Sequence, residues 1–290
     1  MHVTRVLVVY KKSYYELYGY AAAAVPERQR PFVEALRLSH LENAQTLAAV
    51  RAALEALGLA YDCLYRGQLK RASGYDLLIS VGGDGTFLEV ARHAGHTPVL
   101  GVNSDPTRST AFFCAADRFT IRACLEAWLA GALPEVRLAR LQAAINDAVL
   151  PYYALNDVLF AHANPAAMSS YILELEGVSE AQKSSGVWIA TAAGSTAAMR
   201  AAGGRLLPLR SRRMQYRVRE PYRSDGCPYR LRGGILPPQA RLVLISRMRR
   251  GRLFMDGPHL RFPLGLGDVL TVTAAPLPLR VLGLRGKRRR

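Results

Sequence analysis

Along roughly the first 130 residues, short continuous apolar runs alternate with stretches whose apolar positions recur at helical spacing. RVLVVY at 5–10 is β-branched and apolar on both faces, which suits a strand covered on two sides. ENAQTLAAVRAALEALG at 42–58 sets Leu47, Val50, Leu54 and Leu57 on one helical face, with Gly58 as its stop signal. YDLLISV at 75–81 and TPVLGVN at 97–103 read as buried strands, TFLEVARHAG at 86–95 and FTIRACLEAWLAG at 119–131 as helices. Strand and helix in alternation predict a Rossmann-like open parallel sheet. From about residue 134 the helical spacing gives way. VRLARLQAAIN, YYALNDVLFA, SSYILELEG, ARLVLISRM, GRLFMDGPHLRF and DVLTVTAA follow one another as strand-like runs with Gly and Pro turns, the pattern of a mostly antiparallel β domain. One helical stretch, GSTAAMRAAGG at 194–204, interrupts it. The expected organisation is an α/β domain over 1–133, a β-rich domain over 134–275, and a segment over 276–290 that returns to the first domain and ends in a basic tail.

Composition narrows the class. The chain has 290 residues, half of them apolar, so it can bury a sizeable core and is not a disordered segment. No stretch has about 20 uncharged apolar residues, and MHVTRVLVVYKK reads as a first strand and not as a cleavable signal, so a cytoplasmic protein without a membrane span is expected. Cys63, Cys114, Cys124 and Cys227 show no metal-ligand spacing and are expected as reduced, mostly buried thiols. The net charge of +17 invites a nucleic-acid reading, but an arginine-rich composition with only five lysines explains much of it, and nucleic acid is not the expected partner. Arg205, Arg210, Arg212, Arg213, Arg217, Arg219, Arg223, Arg230 and Arg232 nevertheless crowd one segment. Guanidinium groups match phosphate oxygens, so a polyphosphate chain and a solvated surface compete as explanations.

Three constellations carry candidate chemistry. In VGGDGTFLE at 81–89, Gly82, Gly83 and Gly85 surround Asp84 at the carboxyl end of a predicted strand, where ligands of open α/β sheets bind. Bare backbone before a helix suits phosphate, and Thr86 is expected to cap that helix. A carboxylate at the centre of such a turn is misplaced unless it meets a metal ion or takes a proton. In LNDVLFAH, Asn156 and Asp157 lie within an apolar run, where polar groups are costly without partners; hydrogen bonding to a ribose or base competes with a turn at a strand end. In SSGVWIATAAGSTAAMRAAGG at 184–204, Gly194-Ser195-Thr196 opens a small-residue helix that a flat ligand or another backbone can approach.

Together these segments resemble the NAD kinase family: GGDGT at 82–86, Asn156 followed by Asp157, and GSTA at 194–197, in that order. GVNSDPTRS at 101–109, KSSG at 183–186 and the YKK after the first strand are similar to its mitochondrial-type branch and bacterial relatives. The sequence departs from the wider family at Ser185, where an Asp is common, and at Ala198, where an aromatic is common. The resemblance implies phosphorylation of the adenosine-ribose 2′-hydroxyl of NAD, with ATP or polyphosphate as donor and Mg²⁺ or another divalent metal. Asp84 would act as general base or orient the hydroxyl. Gly85, Asn103, Asn156, Asp157, Ser185, Thr196 and Ala197 would meet NAD; Gly82, Gly83, Gly85 and Thr86, with Arg210, Arg212 and Arg213, would meet the donor's phosphates. No protein metal ligand is implied, and a homodimer or larger homo-oligomer is. A lipid kinase of the diacylglycerol or sphingosine type shares GGDGT, and a nucleotide-binding protein without turnover is the remaining alternative.

Overall fold

A computed structural model describes residues 4–20, 25–222 and 228–284, so Arg223, Cys227 and the tail Lys287–Arg290 lie outside the described residues. The chain divides into two compact units: one holds the chain through Val136 and takes it back at Arg280, the other runs Arg137–Leu279.

The first unit is built on the strands β1 (Arg5–Tyr10), β2 (Ala60–Tyr65), β3 (Leu77–Gly82), β4 (Val99–Asn103) and β5 (Cys114–Ala116), with helices α1 (Tyr14–Leu17), α2 (Arg30–Ala56), α3 (Asp84–His93) and α4 (Ile121–Leu129). The strands stand in the order β2-β1-β3-β4, with β5 also on β4, and every one of these pairings is parallel. All six residues of β3 are buried, which is why its sequence shows no polar alternation. Val6, Val8, Ile79, Leu100 and Val102 of the sheet pack with Val50 and Leu54 of α2 and with Ile121 and Leu125 of α4. Each fully buried side chain of this kind contributes about 1.5–3 kcal/mol.

Helix α2 begins twelve residues before the predicted stretch. Its first half buries only Val33 before residue 41, so no core-facing stripe marks it in the sequence. Gly58 follows the helix with a φ of 65°, the left-handed conformation of a helix stop. The last strands, β6 (Glu135–Leu138) and β19 (Leu279–Leu282), extend the parallel sheet beside β4, with β19 parallel to β4.

The second unit is an antiparallel sandwich. Between β6 and β19 the chain forms β7 (Leu141–Ile145), β8 (Ala148–Ala154), β9 (Asp157–His162), β10 (Ser169–Leu175), β11 (Val178–Ser184) and β12 (Val187–Ala190). After the single-turn α5 (Ala198–Ala201) come β13 (Met214–Val218), β14 (Gly233–Leu236), β15 (Leu242–Ser246), β16 (Gly251–Met255), β17 (Leu260–Leu264) and β18 (Val269–Ala274). One sheet has the order β11-β10-β15-β18-β7-β8, the other β14-β13-β12-β9-β16-β17. Tyr171, Leu173, Leu244 and Leu270 from the first face Phe160, Ile189, Tyr216 and Leu253 from the second in one buried cluster. Phe160 and Tyr171 meet edge to face at 5.5 Å.

Three predicted elements differ in outline. VRLARLQAAIN and YYALNDVLFA each form two strands, broken at 139–140 and at Leu155-Asn156. The helix expected over 194–204 is a 3₁₀ turn at Gly194–Thr196 followed by the four residues of α5. Among the described residues, no helix is long and apolar enough to cross a membrane. Cys63, Cys114 and Cys124 are free thiols.

Candidate functional site

In the first unit, β3 delivers the chain to the glycine turn and α3 starts at Asp84, with Gly83 as its N-cap. Thr86 is therefore not the cap. It lies inside the first turn, buried, and a Cβ on Gly82 would collide with its side chain. A Cβ on Gly83 would sit 3.1 Å from Ser109 Oγ, whereas on Gly85 the nearest atom is Arg66 Nη1 at 4.0 Å. Gly82 is thus bare for packing, and Gly85 is exposed and open.

Asp84 does not cap its own helix. Its Oδ2 accepts the N–H of Phe112 at 3.0 Å and its Oδ1 accepts the N–H of Phe113 at 2.9 Å. Those donors come from a turn that begins at Ala111, whose φ is 38°. Phe113 stacks on Phe87 of α3 at 5.0 Å and 12°, so the helix holds the turn that holds its first residue. Both carboxylate oxygens keep lone pairs in the turn, and the group is partly exposed.

Asn103 works within the neighbouring loop: its Nδ2 donates to Ser109 O at 2.9 Å and its Oδ1 accepts the N–H of Asp105. Two cations outside the expected site residues stand by the same strand ends. Arg66 pairs with Glu89 at 3.6 Å. Lys11 follows β1; burial pulls its ammonium below the usual lysine range, against the nearby Asp105 carboxylate. Lys11, His40, Asn43 and Ser104 line a cavity of about 120 Å³, where Asn43 Oδ1 and Ser104 Oγ are buried with no hydrogen-bond partner among the described residues.

The second unit brings the other two constellations together. Leu155, Asn156 and Asp157 aim their N–H groups at the carboxylate of Asp256, at 2.8, 2.7 and 3.2 Å. Asp256 holds this position with a φ of 48°. Asn156 thus sits at the break between β8 and β9 and not within a strand, while Asp157 is the first residue of β9. The alternation rule that would point the two side chains to opposite faces stops at that break. Thr191 donates to Leu155 O through its hydroxyl at 2.5 Å and to Asn156 O through its N–H at 2.9 Å. A Cβ on Gly194 would collide with Asn156 O, so only glycine lets the GST turn approach.

Ser195 is consumed structurally: its hydroxyl donates to Ala192 O and accepts the N–H of Leu207. Thr196 and Ala197 are half-buried, and Ser185 donates its N–H to Arg219 O. Asn156 Oδ1 is buried with no hydrogen-bond partner among the described residues. Asp157 is buried beside Asp256, and desolvation first, then that neighbouring charge, pushes its carboxyl up to about 7. Arg140, buried near Asp256 and stacked on Tyr153, is pulled down to about 10 by burial. Of the expected phosphate-binding arginines, Arg210, Arg212 and Arg213 are all exposed on the loop before β13.

A parallel α/β unit with a glycine turn at a strand end, followed by an antiparallel β unit with a pinned Asn-Asp pair, defines the class: a two-domain nucleotide kinase scaffold. The description "ATP-NAD kinase N-terminal domain" fits residues 31–118. A probable NADH kinase of Oryza sativa subsp. japonica is 35% identical over 229 residues, 71% of this chain and 70% of that protein. An NAD kinase of Halobacterium salinarum is 31% identical over 242 residues, 80% and 83% of the two chains. The fold is shared with yeast NADH kinase complexed with NADH (TM-score 0.71, 16% identity, 99% of this chain and 85% of that one). It is shared also with an NAD kinase from Archaeoglobus fulgidus in complex with ATP (TM-score 0.65, 19% identity, 96% and 93%). The chain belongs to the NAD kinase family.

Proposed function

We propose that this enzyme transfers the γ-phosphoryl group of ATP to the adenosine-ribose 2′-hydroxyl of NAD or NADH. The observation that carries the reading is the pinned Asp84. A carboxylate at the head of α3 is held by two backbone N–H groups next to the open backbone of Gly85. Such donors fix a carboxylate's direction, which is what orienting a hydroxyl and accepting its proton require. The γ-phosphoryl meets the bare turn at Gly83 and Gly85 and the N-terminus of α3, where backbone N–H groups favour anions, while Gly82 serves packing.

In the second unit, the unpaired Oδ1 of Asn156 accepts a hydrogen bond from the dinucleotide, with Asp157, Thr196 and Ala197 on neighbouring segments, while Ser185 lies at the other end of β12 from Asp157. Asn103 shapes the loop after β4 more than it meets ligand, since its amide is already engaged. Arg210, Arg212 and Arg213 draw the donor's polyphosphate through their field. With Ala198 in place of an aromatic ring, one group that helps hold the dinucleotide is missing.

A divalent ion fits this set when carried by the triphosphate. Among the described residues no group of three or more His, Cys, Asp or Glu can hold a metal alone, and Mg²⁺ is commonly held by one or two carboxylates plus phosphates and water. Such an ion neutralises charge on the β- and γ-phosphates. A cytoplasmic location and a homo-oligomeric state, the latter measurable by light scattering, belong to the same reading. The test is direct: incubate the protein with ATP, Mg²⁺ and either NAD or NADH, and assay 2′-phosphorylated product. Its absence with both acceptors overturns the proposal. No observation favours a lipid acceptor.

A further inference from the structure

A trough at the far end of the GSTA segment has its own chemistry. It lies between the Gly203-Gly204 turn after α5, the middle of β13 and the start of β14, with a volume of about 280 Å³. Gly203, Gly204, Gly233 and Gly234 contribute backbone without side chains, and Arg205 and Arg217 are the charged residues of its lining. Among the described residues no carboxylate lines it. Among the described residues neither arginine is in an ion pair. Glu180, on nearby β11, already accepts the N–H groups of Arg230 and Leu231.

Both arginines are exposed; the Arg217 side chain is anchored, and Arg205 is fixed at its backbone. Arg217 donates its Nε to Ala202 O at 3.1 Å, which restrains its guanidinium plane. A Cβ on Gly203 would lie 3.5 Å from Arg217 Nη2, and one on Gly233 would lie 3.0 Å from Arg217 Cδ. The two glycines therefore flank the side chain and let it lie flat. Arg205 is held through its backbone: the buried amide of Gln215 accepts the Arg205 N–H at 3.0 Å and donates to the Arg205 carbonyl at 2.8 Å. A flexible surface arginine must lose rotamer freedom to grip an anion; an anchored one has lost part of it already.

We propose that this trough is a binding site for a short phosphate chain, a di- or triphosphate gripped between Arg205 and Arg217. Two fork-shaped donors suit paired phosphoryl oxygens. The volume sits below the roughly 300–1,000 Å³ of pockets that hold whole drug-sized ligands, so it takes the phosphate chain and not an entire dinucleotide. The chain can come from a nucleotide or from free pyrophosphate. This inference stands on the second unit alone and does not depend on the kinase reading.

Calorimetric titration of the full chain with inorganic pyrophosphate at low salt tests it. Saturable binding is expected. Arg217→Gln should weaken it by about tenfold or more, and Arg217→Lys nearly as much, because lysine keeps the charge but loses the fork. Gly233→Ala keeps every charge yet crowds Arg217, and should weaken binding severalfold. Arg241→Gln, which removes a guanidinium elsewhere on the unit, should leave it within about twofold. Equal losses in Arg217→Gln and Arg241→Gln, or no saturable binding by the unaltered protein, would overturn the site. A parallel titration with ADP reads the source: tighter binding than pyrophosphate assigns the chain to a nucleotide, weaker or equal binding to the free anion. Asp84→Asn should leave the pyrophosphate titration unchanged, so failure of the kinase reading and failure of this site register in different assays.

Discussion

Asp84 and Asp256 each accept consecutive backbone N–H groups, and they serve opposite ends. Asp84 takes two, from Phe112 and Phe113, and remains partly exposed at the head of α3. Asp256 takes three, from Leu155, Asn156 and Asp157, and is buried. In the first case a loop holds a side chain so that the side chain can act. In the second a side chain holds a loop so that its neighbours can: with their N–H groups occupied, Asn156 and Asp157 have fixed backbones and side chains left for other partners. The same hydrogen bond, worth about 1.5–3 kcal/mol when one member is charged, aims a reagent in one unit and builds a frame in the other.

The largest expected effect breaks the first arrangement. An amide at position 84 accepts through one oxygen only, and its NH₂ would face one of the two N–H donors. Asp84→Asn should lower kcat by a factor on the order of 10²–10⁴ while leaving NAD binding nearly unchanged. Because the turn loses a hydrogen bond as well, its melting temperature should also fall. Steady-state kinetics and a direct NAD titration check this; full activity sinks the role of Asp84.

The second prediction tests the frame by pH, at Asp157, one of the residues that Asp256 holds. Asp157 titrates at about 7 in the fold, while an unfolded aspartate titrates near 3.9. Between those values the folded state binds more protons than the unfolded state, so stability falls as pH rises through the window and levels off above it. Asp157→Asn removes that slope. It should raise the melting temperature relative to the unaltered protein at pH 8, by an amount equivalent to about 4 kcal/mol, and little at pH 4. Parallel melting curves against pH decide; an unchanged difference across that range contradicts the raised carboxyl.

Removing the framed acceptor is a smaller change. Asn156→Ala should raise KM for NAD by about fivefold and leave KM for ATP within about twofold, as expected for a lost ground-state contact. Equal changes in both constants would mean that Asn156 shapes the protein and does not meet the dinucleotide.

How much of this was legible beforehand follows from where each signal lies. β3 and the core half of α2 announce themselves because burial on a fixed period writes apolar residues into the sequence. The glycine turn was visible because bare backbone demands a rare composition. The partners of Asp84 were not: they are main-chain N–H groups of Phe112 and Phe113, which any side chains could accompany. Asp256 was equally hidden, a loop residue in a strand-like run whose targets lie about 100 positions away. Thr86 was misread because a hydroxyl in a first turn looks like a cap in one dimension, whereas Gly83 holds that position.

The smallest effect concerns charge without pinning. Arg210, Arg212 and Arg213 are exposed and make no ion pair among the described residues, unlike the neutral backbone of the glycine turn. Backbone donors close to a phosphate are little affected by salt, but a field from exposed guanidinium groups is screened over a Debye length of about 10 Å at 0.1 M. If the first unit binds the donor through its turn and the second adds only attraction, KM for ATP should rise with added KCl. The rise should be shallower in a variant with the three arginines changed to Gln. Salt also weakens the Mg²⁺–nucleotide complex, but equally for both proteins, so the difference between slopes isolates the arginines. Coincident slopes would leave them as a solvated surface and the glycine turn as the whole of the donor's recognition.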